Sequence, residues 1–488
     1  MLGKKNQNKT RIPPLVFFAL ILCVLYWIYL GYISQMIIVY DAVSYQELGT
    51  LIKTQGWGEY LRQGPSREPV YPFLVSLAMR WAEIFSVSFQ STQKVIQFLI
   101  LLATQLLTLK LLRTLKINTF LTLLTILYLG FSPAILNTAL SLYSEIAAYP
   151  LILAIILTGA QAWRCLQTVS TEPEKNSRWR VAVLGGLLGL SLVLATFVKA
   201  VFELITPLFM LPFTVFFARA FRQKKRNLFV SILIFFIAYS CAYYGPLLSY
   251  KFANKKYNGL FALTDRGSWA LYGNTVRRMG PLNSERFKTA LATIPGEGLC
   301  QSLFGDPPCL YWTHRPSDDI GLGKLAELNR QSMPRDAINK ELQKLSFQQM
   351  LRHPFQYFLL MILEGLKMFF WESTNIGFVA YPDRLASLYD SVVLNWGLSF
   401  GMALLTAAAV VFAFRYTWRK RREIVGTAQN PEEPAVILFC AVLLIAPFIG
   451  LHSFFLVLKR YVLILAPLYL TLIVFFFQTA SANFKKRP

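Results

Sequence analysis

The sequence predicts an all-α polytopic membrane protein, and three observations carry the prediction. Of 488 residues, 55% are hydrophobic and only 15% charged, whereas about a quarter of a soluble globular chain is charged. The apolar residues fall in repeated runs of about 20, the helical length that crosses a hydrocarbon core. Basic residues outnumber acidic ones 49 to 25, and they gather between alternate runs, as in cytoplasmic loops. Disordered and collagen-like chains are excluded by the same composition.

Taken in order, the clear spans are residues 14–33, 95–112, 120–140, 146–163, 181–196, 201–217, 228–250, 392–414, 435–451 and 461–477. That gives ten, in an expected total of about 10–13. The first follows Lys4, Lys5, Lys9 and Arg11. It is longer than a signal-peptide core and has no small-residue cleavage site, so it reads as an uncleaved helix behind a cytoplasmic tail. Residues 69–85 and 354–371 are apolar but interrupted by Arg80 and Glu83, and by Glu364 and Lys367, so they read as amphipathic interfacial helices.

Alternation from the first span places Arg113, Arg164, Arg180, Arg222, Lys225, Arg419, Arg422 and Lys486 with their basic neighbours on the cytoplasmic side. Every such connection obeys the positive-inside rule. The net charge of +24 is therefore mostly orientation signal and contact with anionic lipid, with no nucleic-acid partner implied. Three regions follow: residues 1–250, a transmembrane module with an exported loop at 34–94; residues 251–391, a large exported loop able to hold a small α or α/β subdomain; and residues 392–488, the closing helices.

Cys300 and Cys309 lie in that large loop, with Gly305, Pro307 and Pro308 between them. The pair suits a disulfide in an oxidising compartment, although spacing alone leaves two free thiols open. No dinucleotide, phosphate-loop, serine-hydrolase or zinc-protease motif occurs, and His314, His353 and His452 lack metal-ligand spacing. The informative residues are the ionisable ones at the outer ends of spans, where burial near lipid is costly. Asp41 stands in YDAVSYQELG and Glu145 in LYSEIAAYP. Arg67 stands in SREPVYPFL, Lys199 in FVKAV, and Lys459 with Arg460 opens KRYVLILAPLYL. Each acid alone reads equally as a helix-terminal cap, and each base alone as a snorkelling anchor. Several outward cations together suit an anionic headgroup such as a phosphate.

At these residues the chain resembles the GT-C membrane glycosyltransferases, above all the branch of the protein O-mannosyltransferases and the aminoarabinose transferase of lipid A. The resemblance covers residues 14–217 and 354–477. It implies a GT-C-like fold in a bacterial inner membrane, with an exported active site moving sugar from a polyprenyl-phosphate donor to a hydroxyl acceptor. By resemblance Asp41 is the general base, Glu145 shapes the acceptor or metal site, and Arg67, Lys199, Lys459 and Arg460 hold the donor phosphate. Tyr45, Glu68 and Tyr71 are the substrate-binding neighbours, although tyrosines are also common in interfacial belts. Ala42 follows Asp41 where the family often has a second acid, and Glu145 stands where it often has Asp. Both departures weaken the argument for a bridged metal, so a divalent ion stays an open option and no other cofactor is implied.

The chemistry is coherent without the family. Fixed cations stabilise a departing phosphate, and a carboxylate can take the acceptor's proton as the new bond forms. One such displacement inverts the anomeric centre. A different class must stand beside it: a flippase for lipid-linked glycans, or an O-antigen ligase or polymerase. A flippase commonly shows internal repeats, which this chain lacks. A ligase would depend on loop residues such as Arg266, Arg277 or His314 instead of Asp41.

Overall fold

The computed structural model describes residues 12–64, 67–169, 177–222, 226–373, 378–425, 432–455 and 457–484. The N-terminal region runs α1 (Pro14–Ile33), α2 (Asp41–Arg62), α3 (Val70–Ile84), α4 (Phe89–Thr114), α5 (Thr119–Phe131) and α6 (Pro133–Leu140). It continues with α7 (Glu145–Val169), α8 (Ser177–Val198), α9 (Phe202–Arg222) and α10 (Arg226–Asn258). Among the described residues eight helices are long and apolar enough to cross a membrane. Eight of the ten expected spans are therefore met, by α1, α4, α7, α8, α10 and the helical stretches Val393–Arg419, Glu433–Phe455 and Arg460–Ala482. The chain is a multi-pass, all-α membrane protein.

The two remaining spans differ in form. The stretch expected at 120–140 is the pair α5 and α6, bent by 45° at Ser132 and Pro133. Proline removes a backbone donor there, and the freed groups need partners in an apolar setting. Glu372 supplies them: it accepts from Ser132 Oγ at 2.8 Å, from the Ala134 backbone N–H at 3.2 Å and from Tyr128 Oη at 2.9 Å. The span expected at 201–217 is α9, whose apolar part, Phe202–Phe216, is shorter than the others.

Close packing of α8 on α10 rests on Gly185 and Gly189, spaced one turn apart. A Cβ on either would lie 2.6 Å from a backbone carbonyl of α10, Phe235 or Tyr239. Small residues at such a seam let two backbones approach where lipid gives no hydrophobic drive to association.

The large loop folds as helices: α11 (Arg266–Arg278), α12 (Ser284–Ala292), α13 (Glu297–Phe304), α14 (Asp306–Leu310), α15 (His314–Arg330) and α16 (Arg335–Arg352). Of the two expected options, α or α/β, the described residues of this loop up to Lys367 take the first. Cys300 in α13 and Cys309 in α14 are joined by a disulfide, with Cα atoms 5.7 Å apart. Next come α17 (Pro354–Lys367) and α18 (Asp383–Tyr389). A two-residue strand, β1 (Gln35–Met36), pairs antiparallel with β2 (Val379–Ala380), tying the exit of α1 to the segment before α18. The chain closes with α19 (Val392–Arg419), α20 (Arg421–Val425), α21 (Glu433–Phe455), α22 (Lys459–Val462) and α23 (Ala466–Phe484).

The amphipathic stretches become α3 and α17, neither of which qualifies as a span. In α17 Tyr357, Leu360 and Leu363 are buried while Phe355 and Phe358 point outward, the two-faced pattern of a helix lying along an interface.

Candidate functional site at the ends of the spans

The residues picked out by position converge. Alternation of the spans puts the end of α1, the start of α7, the turn from α8 to α9 and the start of the last span at one end of the bundle. There Asp41 is the first residue of α2, and one oxygen accepts from Arg67 Nη2 while the other accepts from Arg460 Nη2. The backbone strains to present it: Tyr40, immediately before, takes φ +50° and ψ −118°, a conformation that a non-glycine residue rarely adopts.

Behind this first pair lies a second. Glu145, the buried first residue of α7, accepts from Lys199 Nζ at 2.8 Å, and its Oε1 is 4.0 Å from Arg460 Nε. Glu68 accepts from the Ala200 backbone N–H at 2.9 Å, which ties the Arg67 segment to the turn carrying Lys199. Aromatic rings complete the frame. The Arg460 guanidinium lies 5.1 Å from the ring centre of Tyr143 and 5.5 Å from that of Tyr461, and Lys199 lies 5.1 Å from Tyr461. Such contacts hold a cation without consuming its hydrogen-bond donors.

The cations and anions of this cluster hold one another charged. Burial would raise the Asp41 carboxyl, but Arg460 first and Arg67 second hold it down to about 2. Burial likewise opposes the charge on Lys199, yet Glu145 keeps the ammonium above its ordinary range. Burial pushes the Tyr143 phenol up to about 12 despite Arg460 beside it.

A cavity of about 830 Å³ opens onto this cluster. Asp41, Arg460, Tyr143 and Tyr461 line it from the membrane end, and Trp312, His314 and Asp318 line it from the helical loop. Trp396 and Ser399 of α19 and Lys367 of α17 also line it. Of the residues expected to bind a donor phosphate, Arg460 reaches the cavity, whereas Arg67 and Lys199 are turned into the carboxylates and are absent from its lining. Lys459 opens α22, but its side chain lies outside the described part.

Tyr45 and Tyr71 also sit behind the cavity rather than in it. Both are buried, packed edge-to-face with ring centres 4.8 Å apart, and their hydroxyls are engaged with Ser144 and Gln97. The Arg67 guanidinium lies 5.2 Å from the ring centre of Tyr45, and neither tyrosine lines the cavity. The residues that sequence reasoning passed over are Tyr143, Trp312, Trp396 and Lys367. Tyr143 stands two residues before Glu145, which was its available signal; Trp396 looks like any apolar residue of a span.

Both Asp41 oxygens and Glu145 Oε1 are engaged by Arg67, Arg460 and Lys199. Among the described residues no group of three or more His, Cys, Asp or Glu side chains is placed to hold a metal. No protein-family model, no curated protein and no solved structure matches the chain.

Proposed function

We propose that the protein is an integral-membrane, inverting glycosyltransferase that moves a sugar from a polyprenyl-phosphate donor to a hydroxyl acceptor on the exported face. The observation that supports it most is Asp41 bonded to Arg460 at the wall of a cavity that is also lined by Trp312, Trp396, Tyr143 and Tyr461. A carboxylate and a guanidinium side by side are what the reaction needs. Aromatic faces suit the apolar side of a sugar ring.

In this reading the donor phosphate competes for Arg460 and draws it from Asp41. That loss of a cationic partner raises the basicity of a carboxyl otherwise held near 2. The acceptor oxygen then attacks the anomeric carbon, the bond from that carbon to the phosphate oxygen breaks, and the acceptor proton passes to Asp41. Polyprenyl phosphate leaves with its new charge beside Arg460. Lys199 and Glu145 fix Arg460 from behind, and Arg67 does so for Asp41. The outward apolar face of α17 would border the lipid tail.

A second reading keeps one supporting observation. Arg266 and His314, on which an O-antigen ligase would depend, line the same cavity. Proteoliposomes of the full chain given a panel of polyprenyl-phosphate sugars and crude envelope lipid decide between the two. Transfer with inversion that is abolished in Asp41→Asn and retained in His314→Ala supports the glycosyltransferase. Loss only in His314→Ala supports the ligase, and no transfer from any monophosphate donor sinks the first reading.

A further inference from the structure

The cavity has a second cationic wall that the proposed transfer does not use. Lys367, at the end of α17, lines it, and its ammonium bonds Glu364 Oε1 at 3.0 Å. Behind stands Arg277, fully buried, with Nη2 at 3.6 Å from the same Glu364 oxygen. Its Nη1 donates to the Thr313 carbonyl at 3.0 Å, directly behind the cavity-lining Trp312 and Thr313. Arg278, also buried, donates to the Phe454 carbonyl at 3.2 Å. Nε of both arginines, Arg278 Nη2 and Glu364 Oε2 are buried without a hydrogen-bond partner, as is Ser399 Oγ in the cavity lining.

The two walls differ in charge. At the Asp41 end, Arg67, Lys199 and Arg460 meet Asp41, Glu145 and Glu68, so the cations are matched. Here Lys367, Arg277 and Arg278 share Glu364, and even with Asp318 counted as within reach of Arg277 the group keeps an excess of one positive charge. Burial, and then the two arginines, push the Lys367 ammonium below its ordinary range despite Glu364. A buried cationic excess is costly unless an anion completes it.

We propose that Lys367, backed by Arg277 and Arg278, is a second oxyanion subsite of this cavity, and that it takes a phosphate or carboxylate group carried by the acceptor. This rests on the glycosyltransferase reading for one step only. The donor brings one phosphate, which Arg460 receives beside Asp41, so a second anion in the same cavity belongs to the other substrate. Ser399 and the free donors of Lys367 are suited to its remaining oxygens.

The test uses the full chain in phosphatidylcholine nanodiscs, with tryptophan fluorescence reporting through Trp312 and Trp396. Inorganic phosphate is the probe of the new subsite, glycerol 3-phosphate the probe of a lipid headgroup, and farnesyl phosphate the probe of the donor site. Phosphate is expected to bind with farnesyl phosphate already saturating, and Lys367→Met to weaken phosphate at least tenfold while changing farnesyl phosphate less than twofold. Tighter binding of glycerol 3-phosphate than of phosphate assigns the group to a phospholipid-like acceptor; equal binding assigns a bare oxyanion. Should Lys367→Met fail to fold, Lys367→Arg is expected to keep phosphate binding and Glu364→Gln to tighten it at least threefold. Displacement of phosphate by farnesyl phosphate, or phosphate affinity unmoved in Lys367→Met and in Glu364→Gln, overturns the subsite. Phosphate bound at Lys367 with no farnesyl phosphate binding at all keeps the subsite and sinks the donor reading instead.

Discussion

Asp41 and Arg460, 419 positions apart, share a hydrogen bond at the wall of the cavity. One closes the exit of α1 and the other opens the last span, so the pair exists only when the first and last helices are correctly placed. Asp41→Asn keeps the shape and removes the negative charge. It is expected to cut sugar transfer by about 10²- to 10⁴-fold and to lower the thermal midpoint, because the amide keeps one acceptor oxygen for two arginines and turns an N–H donor toward the other.

The buried pair of Glu145 and Lys199 makes a prediction about stability. Removing one partner strands a charge, which typically costs about 3–5 kcal/mol. Lys199→Ala should therefore lower the unfolding midpoint in detergent markedly, and Glu145→Gln with Lys199→Met should recover most of the loss. Equal stability of the single and double variants would show that the pair is not coupled.

Glu372 gives a pH dependence with a definite sign. Burial raises its carboxyl from an ordinary 4.5 to about 7, against the hydrogen bonds of Ser132, Ala134 and Tyr128. A raised acid favours the folded state at low pH, so its contribution is complete below about 4.5 and is lost as pH rises to about 7. The full swing is on the order of 3 kcal/mol. Thermal midpoints measured from pH 4.5 to 8 should fall more steeply for the native chain than for Glu372→Gln; parallel curves would remove Glu372 as the titrating group.

Much of this was legible in the sequence, and the remainder fails for physical reasons. Span positions follow from apolar length alone, and α1, α4, α7, α8, α10, α19 and α21 fall where the runs lie. The bend at Ser132 was not legible, since its partner Glu372 is 240 residues away. Position also marked Asp41, Glu145, Arg67, Lys199 and Arg460, because an ionisable residue at a span end is costly. Which of them face the cavity was hidden, for that depends on pairing among segments remote in sequence. Lys367 looked like a charge on an interfacial helix, and Trp396 like span filler; only the fold brings both into the lining of one cavity.

The seam between α8 and α10 yields a prediction about packing. Gly189→Leu pushes a side chain toward the Tyr239 carbonyl, where even a Cβ would approach to 2.6 Å. Overpacking of this kind costs about 1–3 kcal/mol. The loss should appear as a lower unfolding midpoint and a reduced yield of monodisperse protein, whereas Gly186→Leu, with open space at its Cβ position, should change neither.

The central claim is that the cavity wall made by Asp41 and Arg460 is where sugar is transferred. Single-turnover transfer from a radiolabelled polyprenyl-phosphate sugar, by purified full-length protein in liposomes, tests it most directly. The account predicts that Asp41→Asn binds donor normally but transfers at least a hundredfold more slowly, and that Arg460→Met loses donor binding. Transfer by Asp41→Asn at the native rate would contradict it.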